Sequence, residues 1–143
     1  MSDPDFSTPE AVEAAFYAAF EARSLDAMMA AWAGDDSIAC IHPLAAPLNG
    51  RAAVAAGWHS MFEAAGQFRV QVETVHEMRE AGQVIRIVRE YLIIGQETEP
   101  RPPILATNVY RRQDDGWRMV LHHASPLHVG GTPPARTPPV VLH

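Results

Sequence analysis

Few side chains in this sequence can do acid or base chemistry near neutral pH, and two of them stand together. His122-His123 closes the apolar run Trp117 to Leu121 and is followed by Ala124-Ser125-Pro126. An imidazole titrates close to neutrality, as a general acid or base must. Successive side chains of a strand point to opposite faces, so His122 and His123 cannot both enter one cavity. One is open to a chemical role and the other to a structural one. His42 ends a third candidate stretch, Ser37 to His42, which Pro43 stops. At a strand end that opens onto a cavity it is a base within reach of substrate; the competing reading is a buried ring that only satisfies backbone groups. Asn108 sits between Thr107 and Val109 in an apolar strand, so its amide needs a partner, either a ligand or a neighbouring side chain. Arg89 and Tyr91 share a face with Ile85 and Ile87, which suits Arg89 either to an acidic ligand group or to an ion pair with Glu73 or Glu63. Trp32, Trp58, Met61 and Phe62 form apolar stripes that either line a pocket or fill a core.

Other chemistries lack their residues. Seven histidines invite a metal, yet no HxH or HExxH spacing occurs and the adjacent pair diverges, so no metal is expected. Neither a glycine-rich phosphate loop nor a GxSxG elbow is present, and no cofactor is expected. Cys40 stands alone in an apolar run, where a packed, inert thiol is the expectation. The net charge of −6 on 143 residues speaks against nucleic acid or an anionic membrane as partner. No run is long enough to span a bilayer, and the acidic start Met1 to Asp5 is unlike a signal peptide, so a cytoplasmic location is expected.

The elements that must position these groups read in order. Thr8-Pro9-Glu10 opens a helix that carries Val12, Phe16, Ala19 and Phe20 on one face and ends near Arg23. Ser24 caps a second in which Leu25, Met28, Met29 and Trp32 recur at helical spacing. A short strand ends on His42, Leu44 to Gly50 is a loop, and a third helix bears Val54, Trp58, Met61 and Phe62, stopped by Gly66. From Gln67 the period becomes two. Strands follow from Phe68, from Val84 to Ile94, from Ile104 to Gln113 and, after the Asp114-Asp115-Gly116 turn, up to Pro126. Helices first and a meander second imply an α+β domain over residues 1–126, with three N-terminal helices packed on one face of a curved, mostly antiparallel sheet. Residues 127–143 form a tail rich in proline and glycine.

That order, with Leu25 to Met29 leading to Trp32, Ile41-His42-Pro43, Gly50 followed by Trp58, and Asp115-Gly116-Trp117-Arg118 running to His123-Ala124-Ser125-Pro126, resembles the nuclear transport factor 2-like superfamily over residues 8–126. The superfamily includes SnoaL-like cyclases, ketosteroid isomerases and the association domain of calcium/calmodulin-dependent kinases. The resemblance implies a cone-shaped fold. Against the isomerases, His42-Pro43 stands where the family has the Asp-Pro of its general base. Asn108 matches a protonated aspartic acid that donates to the oxyanion, and Phe16 matches the tyrosine that supplies the second donor. Losing one donor costs a few kcal/mol of transition-state stabilisation, which argues against an efficient steroid isomerase. Against the association domain, Trp58, Ile87, Asn108 and Ala124 match pocket-facing positions, the family's arginine being lost. That parity implies His122 inward and His123 on the opposite face.

Two functions follow as expectations. One is a cofactor-independent isomerase, dehydratase or cyclase on a small apolar or aromatic molecule. In it His42 is the base, Asn108 an oxyanion donor and His122 an acid or orienter, with Trp32, Trp58, Met61, Phe62, Ile87, Arg89, Tyr91 and Tyr110 contacting substrate. The other is a binding or association module without turnover, homodimeric through the outer sheet face.

Overall fold

The computed structural model describes residues 5–127, so all but the first residue of the expected tail lies outside the described residues. Helix α1, Pro9–Ala22, begins where the Thr8 hydroxyl accepts the Ala11 N–H and proline occupies the first turn, which needs no N–H donor. Arg23 closes it in the left-handed region at φ 53°. Helix α2, Leu25–Ala30, is capped by Ser24. It is shorter than the stripe ending at Trp32 suggests, because the chain beyond it pairs with a strand: Trp32 bridges to Met119. One cation serves the carbonyls there: the Arg51 guanidinium donates to Trp32 and Ala33 at 3.4 and 2.7 Å and, at 3.2 Å, to Met29, which also accepts the Trp32 N–H.

Strand β1, Ala39–Ile41, pairs with a two-residue strand β2, Leu48–Asn49, inside the stretch expected to be loop. Helix α3, Arg51–Ala64, follows, and its first N–H is capped from a distance by Asp36 Oδ1. Strands β3 (Phe68–Arg79), β4 (Gln83–Ile94), β5 (Ile104–Gln113) and β6 (Gly116–Pro126) form the expected antiparallel meander. The six-stranded sheet runs β2-β1-β6-β5-β4-β3, and β1 lies parallel to β6 with Cys40 opposite His122. The N-terminal segment is latched to the start of β6. Trp117 donates its N–H to the Phe6 carbonyl at 2.7 Å, Arg118 lies over the Phe6 ring, and Gly116 takes φ 119° where a Cβ would meet that carbonyl at 2.6 Å.

One face of the sheet receives the helices. Phe16, Trp32, Trp58, Val84, Val88, Ala106 and Met119 are all essentially buried in the core beneath them. On β4 the inward residues are Val84, Val88 and Glu90. This reverses the face expected for Ile87, Arg89 and Tyr91, which alternate onto the outer side. On β6 an extra residue at Val120 shifts the register between Leu121 and Met119. The bulge lets Trp117 and Met119 share the inner face with His122 and Ala124, although the two pairs differ in parity. No helix among the described residues is long and apolar enough to cross a membrane.

Candidate functional site

Helix α1 lays Glu13, Tyr17 and Phe20 along the sheet, one below another at three- and four-residue spacing. Glu13 meets the polar end of the inner face. It accepts from Arg86 at 3.1 Å and from the Tyr110 hydroxyl at 2.8 Å, and Arg86 is held in turn by Glu77 at 2.7 Å. One turn on, the Tyr17 hydroxyl donates to Glu90 Oε2 at 2.5 Å. Because Tyr17 spends its proton there, its oxygen accepts from Asn108 Nδ2 at 3.0 Å. The Asn108 carbonyl oxygen is then left to His122, whose Nδ1 lies 2.6 Å away and must carry the proton. The direction of this chain fixes the His122 tautomer: its Nε2 is an acceptor, 3.9 Å from Glu90 Oε2.

Past Glu90 the inner face opens into a cavity of about 210 Å³. Phe20, Trp58, Met61, Phe68, Leu92 and Ile94 make its apolar wall. Glu90 and His122, 3% exposed each, form its deep end, while His42 and Pro43 are only half-buried. Burial raises the Glu90 carboxyl to about 7, with the Tyr17 hydrogen bond opposing and the nearby Glu13 charge reinforcing the rise. Burial lowers His122 to about 3, helped by the neighbouring His42 and His123. Glu90 and His122 are therefore each pushed toward their neutral forms and do not make an ion pair. His42 is also lowered by burial, its ring edge-on to Trp58 at 4.7 Å. Cys40 is raised to about 12 by burial and by the Glu90 charge, and its thiol packs 3.7 Å from His42 Nε2. It is inert as a nucleophile at neutral pH.

Of the residues singled out from sequence, His42, Trp58, Met61 and His122 meet in this cavity. His123 is exposed on the other face. Asn108 is fully buried behind His122 and does not line the cavity, so both ends of its amide are occupied and it positions His122 rather than facing an oxyanion. Trp32 and Tyr110 are core residues, and Phe62 packs against Trp58 outside the cavity. Ile87 and Tyr91 lie on the outer face, where Arg89 makes its ion pair with Glu73 at 2.9 Å. Sequence reasoning missed Glu90 and Tyr17. The helix-one hydroxyl sought at Phe16 is supplied by the next residue. The even-numbered face of β4 bears Arg86 and Glu90 among its apolar residues, so that both faces of the strand are mixed in sequence. Its one available sign was Val84, Val88, Leu92 and Ile94 at even spacing.

The chain matches the family model of the SnoaL-like domain over residues 10–128. It belongs to the SnoaL-like family. This SnoaL-like protein is 77% identical, with a TM-score of 0.86, to a solved Thiobacillus denitrificans protein described as a candidate calcium/calmodulin-dependent protein kinase type II association domain, covering 88% of this chain and 100% of that one. A candidate dehydratase of the NTF2-like family from Streptomyces avermitilis is 25% identical with a TM-score of 0.71, covering 82% and 93%. A ketosteroid isomerase-like protein from Erwinia carotovora atroseptica, 17% identical with a TM-score of 0.64 over 84% and 94%, shares the fold. An Arabidopsis thaliana F-box protein, SKIP8, is 29% identical over 114 residues, 80% of this chain; the chain spans about half, 47%, of that protein's length. The nuclear transport factor 2-like, cone-shaped α+β architecture is thereby shown.

Proposed function

We propose that the cavity binds a small, largely apolar molecule and moves a proton on it without a cofactor, in an isomerisation, dehydration or cyclisation. One observation carries this reading: a carboxyl, Glu90, stands at the deep end of an apolar cavity and is tuned by burial to about 7, where it gives and takes protons equally well. His42 at the half-buried side is the second proton carrier. Tyr17, Asn108 and His122 hold Glu90 in place and do not themselves turn over. The kinship to a candidate dehydratase supports the reaction class. The experiment is a screen of small enolisable and hydroxylated compounds by NMR in deuterated buffer. Protein-dependent exchange of a carbon-bound proton that is lost in Glu90→Gln is the expected result. Exchange that persists undiminished in Glu90→Gln removes Glu90 from the chemistry.

A second reading, an association module that dimerises through the outer sheet face, is favoured by the description of the 77% identical relative and by the partly exposed Ile87, Tyr91, Val109 and Leu121 on that face. Sedimentation equilibrium tests it. A monomer at tens of micromolar protein counts decisively against it.

A further inference from the structure

We propose that the ligand of this cavity enters with a primary amine first, held as an ammonium between Glu90 and His122, on an apolar body of about eight to ten non-hydrogen atoms. The inference rests on the reading of the cavity as the ligand site, and adds the chemical class of what fills it.

The argument starts from the direction of the buried hydrogen bonds. Tyr17 gives its proton to Glu90 Oε2, Asn108 gives its N–H to Tyr17, and His122 gives its Nδ1–H to Asn108. With Glu90 ionised, every donor in the chain is spent inside the protein. What is left for a ligand is acceptors: His122 Nε2, and Glu90 Oε1, which takes no hydrogen bond from the described residues and is not sealed from solvent as the Trp32 and Trp58 indole nitrogens are. Two acceptors that converge at the closed end of a cavity call for a head group with at least two hydrogens to give. An ammonium has three and carries the charge that complements a carboxylate.

The wall agrees. The chain has no lysine and none of the arginines among the described residues lines the cavity, so an acid would meet Glu90 with nothing to offset it. With Glu90 ionised, as above neutrality, a carbonyl would find no donor at the deep end. The rings of Phe20, Trp58 and Phe68 surround the space, and aromatic faces attract a cation. Size follows from the volume: a cavity of roughly 150 Å³ takes benzene, and 210 Å³ takes a little more. A fused multi-ring body is too large. The proton between the ammonium and Glu90 remains transferable, which keeps the site's acid–base chemistry available.

Benzylamine, benzyl alcohol and benzoate share one body and differ in the head, and their binding can be followed by chemical-shift changes of the residues around the cavity. At pH 8 benzylamine should bind at least about tenfold tighter than benzyl alcohol, about 1.4 kcal/mol, and benzoate should not bind. In Glu90→Gln the gap should close. Wild-type protein supplies the same information if that variant does not fold. Lowering the pH to 5.5 should erode the preference for benzylamine while leaving benzyl alcohol unchanged. The groups facing Glu90 through that range are Glu13 and Tyr17 of α1, Cys40 of β1, His42 across the cavity, Asn108 of β5 behind Tyr17 and His122 of β6, with Arg86 of β4 already held by Glu13. Equal or tighter binding of benzyl alcohol or benzoate overturns the amine and leaves the cavity as a site. No shift with any of the three overturns both.

Discussion

Replacing Glu90 by glutamine should remove the main reason for this protein to weaken in mild alkali. Its carboxyl is raised to about 7 in the fold, whereas a glutamate in an unfolded chain titrates at about 4.3. Between those values the folded chain binds more protons than the unfolded one, so stability falls as pH rises through the window and levels off above about 7. Each tenfold difference in proton affinity is worth about 1.4 kcal/mol, which makes the full loss roughly 4 kcal/mol. His122 acts in the opposite sense. Its ring is lowered to about 3 while the unfolded ring titrates near 6.5, so stability rises with pH up to about 6.5. The two slopes offset one another between about 4.5 and 6.5, and above that Glu90 dominates until the Cys40 thiol, raised to about 12, adds to the fall past about 8.5. Glu13, raised by burial, adds to the first effect, and His42, lowered by burial, to the second. Urea unfolding of wild type and Glu90→Gln from pH 5 to pH 9 isolates the carboxyl, because His122, His42 and Glu13 are common to both. The stability of the variant relative to wild type should grow by roughly 3 kcal/mol across that range, whatever the offset at pH 5. Two curves that run parallel would refute the buried, raised carboxyl on which the functional reading stands.

Two substitutions probe the scaffold. Gly116→Ala places a Cβ 2.6 Å from the Phe6 carbonyl at a left-handed φ of 119°, and should cost about 1–3 kcal/mol in thermal unfolding. Unchanged stability would show that the N-terminal latch yields freely. Arg51→Met keeps the aliphatic stem but leaves the carbonyls of Trp32 and Ala33 without their donor and that of Met29 with the Trp32 N–H alone. The expected loss is about 2 kcal/mol by chemical denaturation, with faster amide exchange at the end of α2; a loss within about 0.5 kcal/mol would mean that water replaces the guanidinium there.

The scaffold was legible because its signals are local. Thr8-Pro9 and Ser24 state where helices begin, the alternation from Phe68 onward states the strands, and Asp115-Gly116 states the last turn. The site was legible only where a chemically suggestive residue also ends a strand or faces inward on its own evidence, as His42 and His122 do. It was illegible at β4, where orientation depends on partners many residues away. Arg86 can face inward only because Glu13 of α1 waits for it, and Glu90 only because Tyr17 of the same helix does. Two charged residues on one face look like a solvated edge until the helix that satisfies them is in place. Asn108 was read correctly as needing a partner, but the partners are Tyr17 and His122 and not a ligand.

The extra residue at Val120 in β6 gives this site an unusual dependence on spacing. The inner face holds Trp117 and Met119 on one side of the bulge and His122 and Ala124 on the other. The imidazole that reaches the cavity is thus selected by a count of backbone units, not by its identity. Drawing Val120 into regular alternation would leave the sequence untouched, yet would force the strand to choose which half to keep in phase with the helices. If the Trp117 half prevailed, His123 and Ser125 would turn inward in place of His122 and Ala124, and the deep end of the cavity would exchange a bonded imidazole and a methyl for an unsupported imidazole and a hydroxyl. A chain of this kind can therefore acquire a different pocket through the loss of one bulge in a strand, with no substitution among the residues that line it.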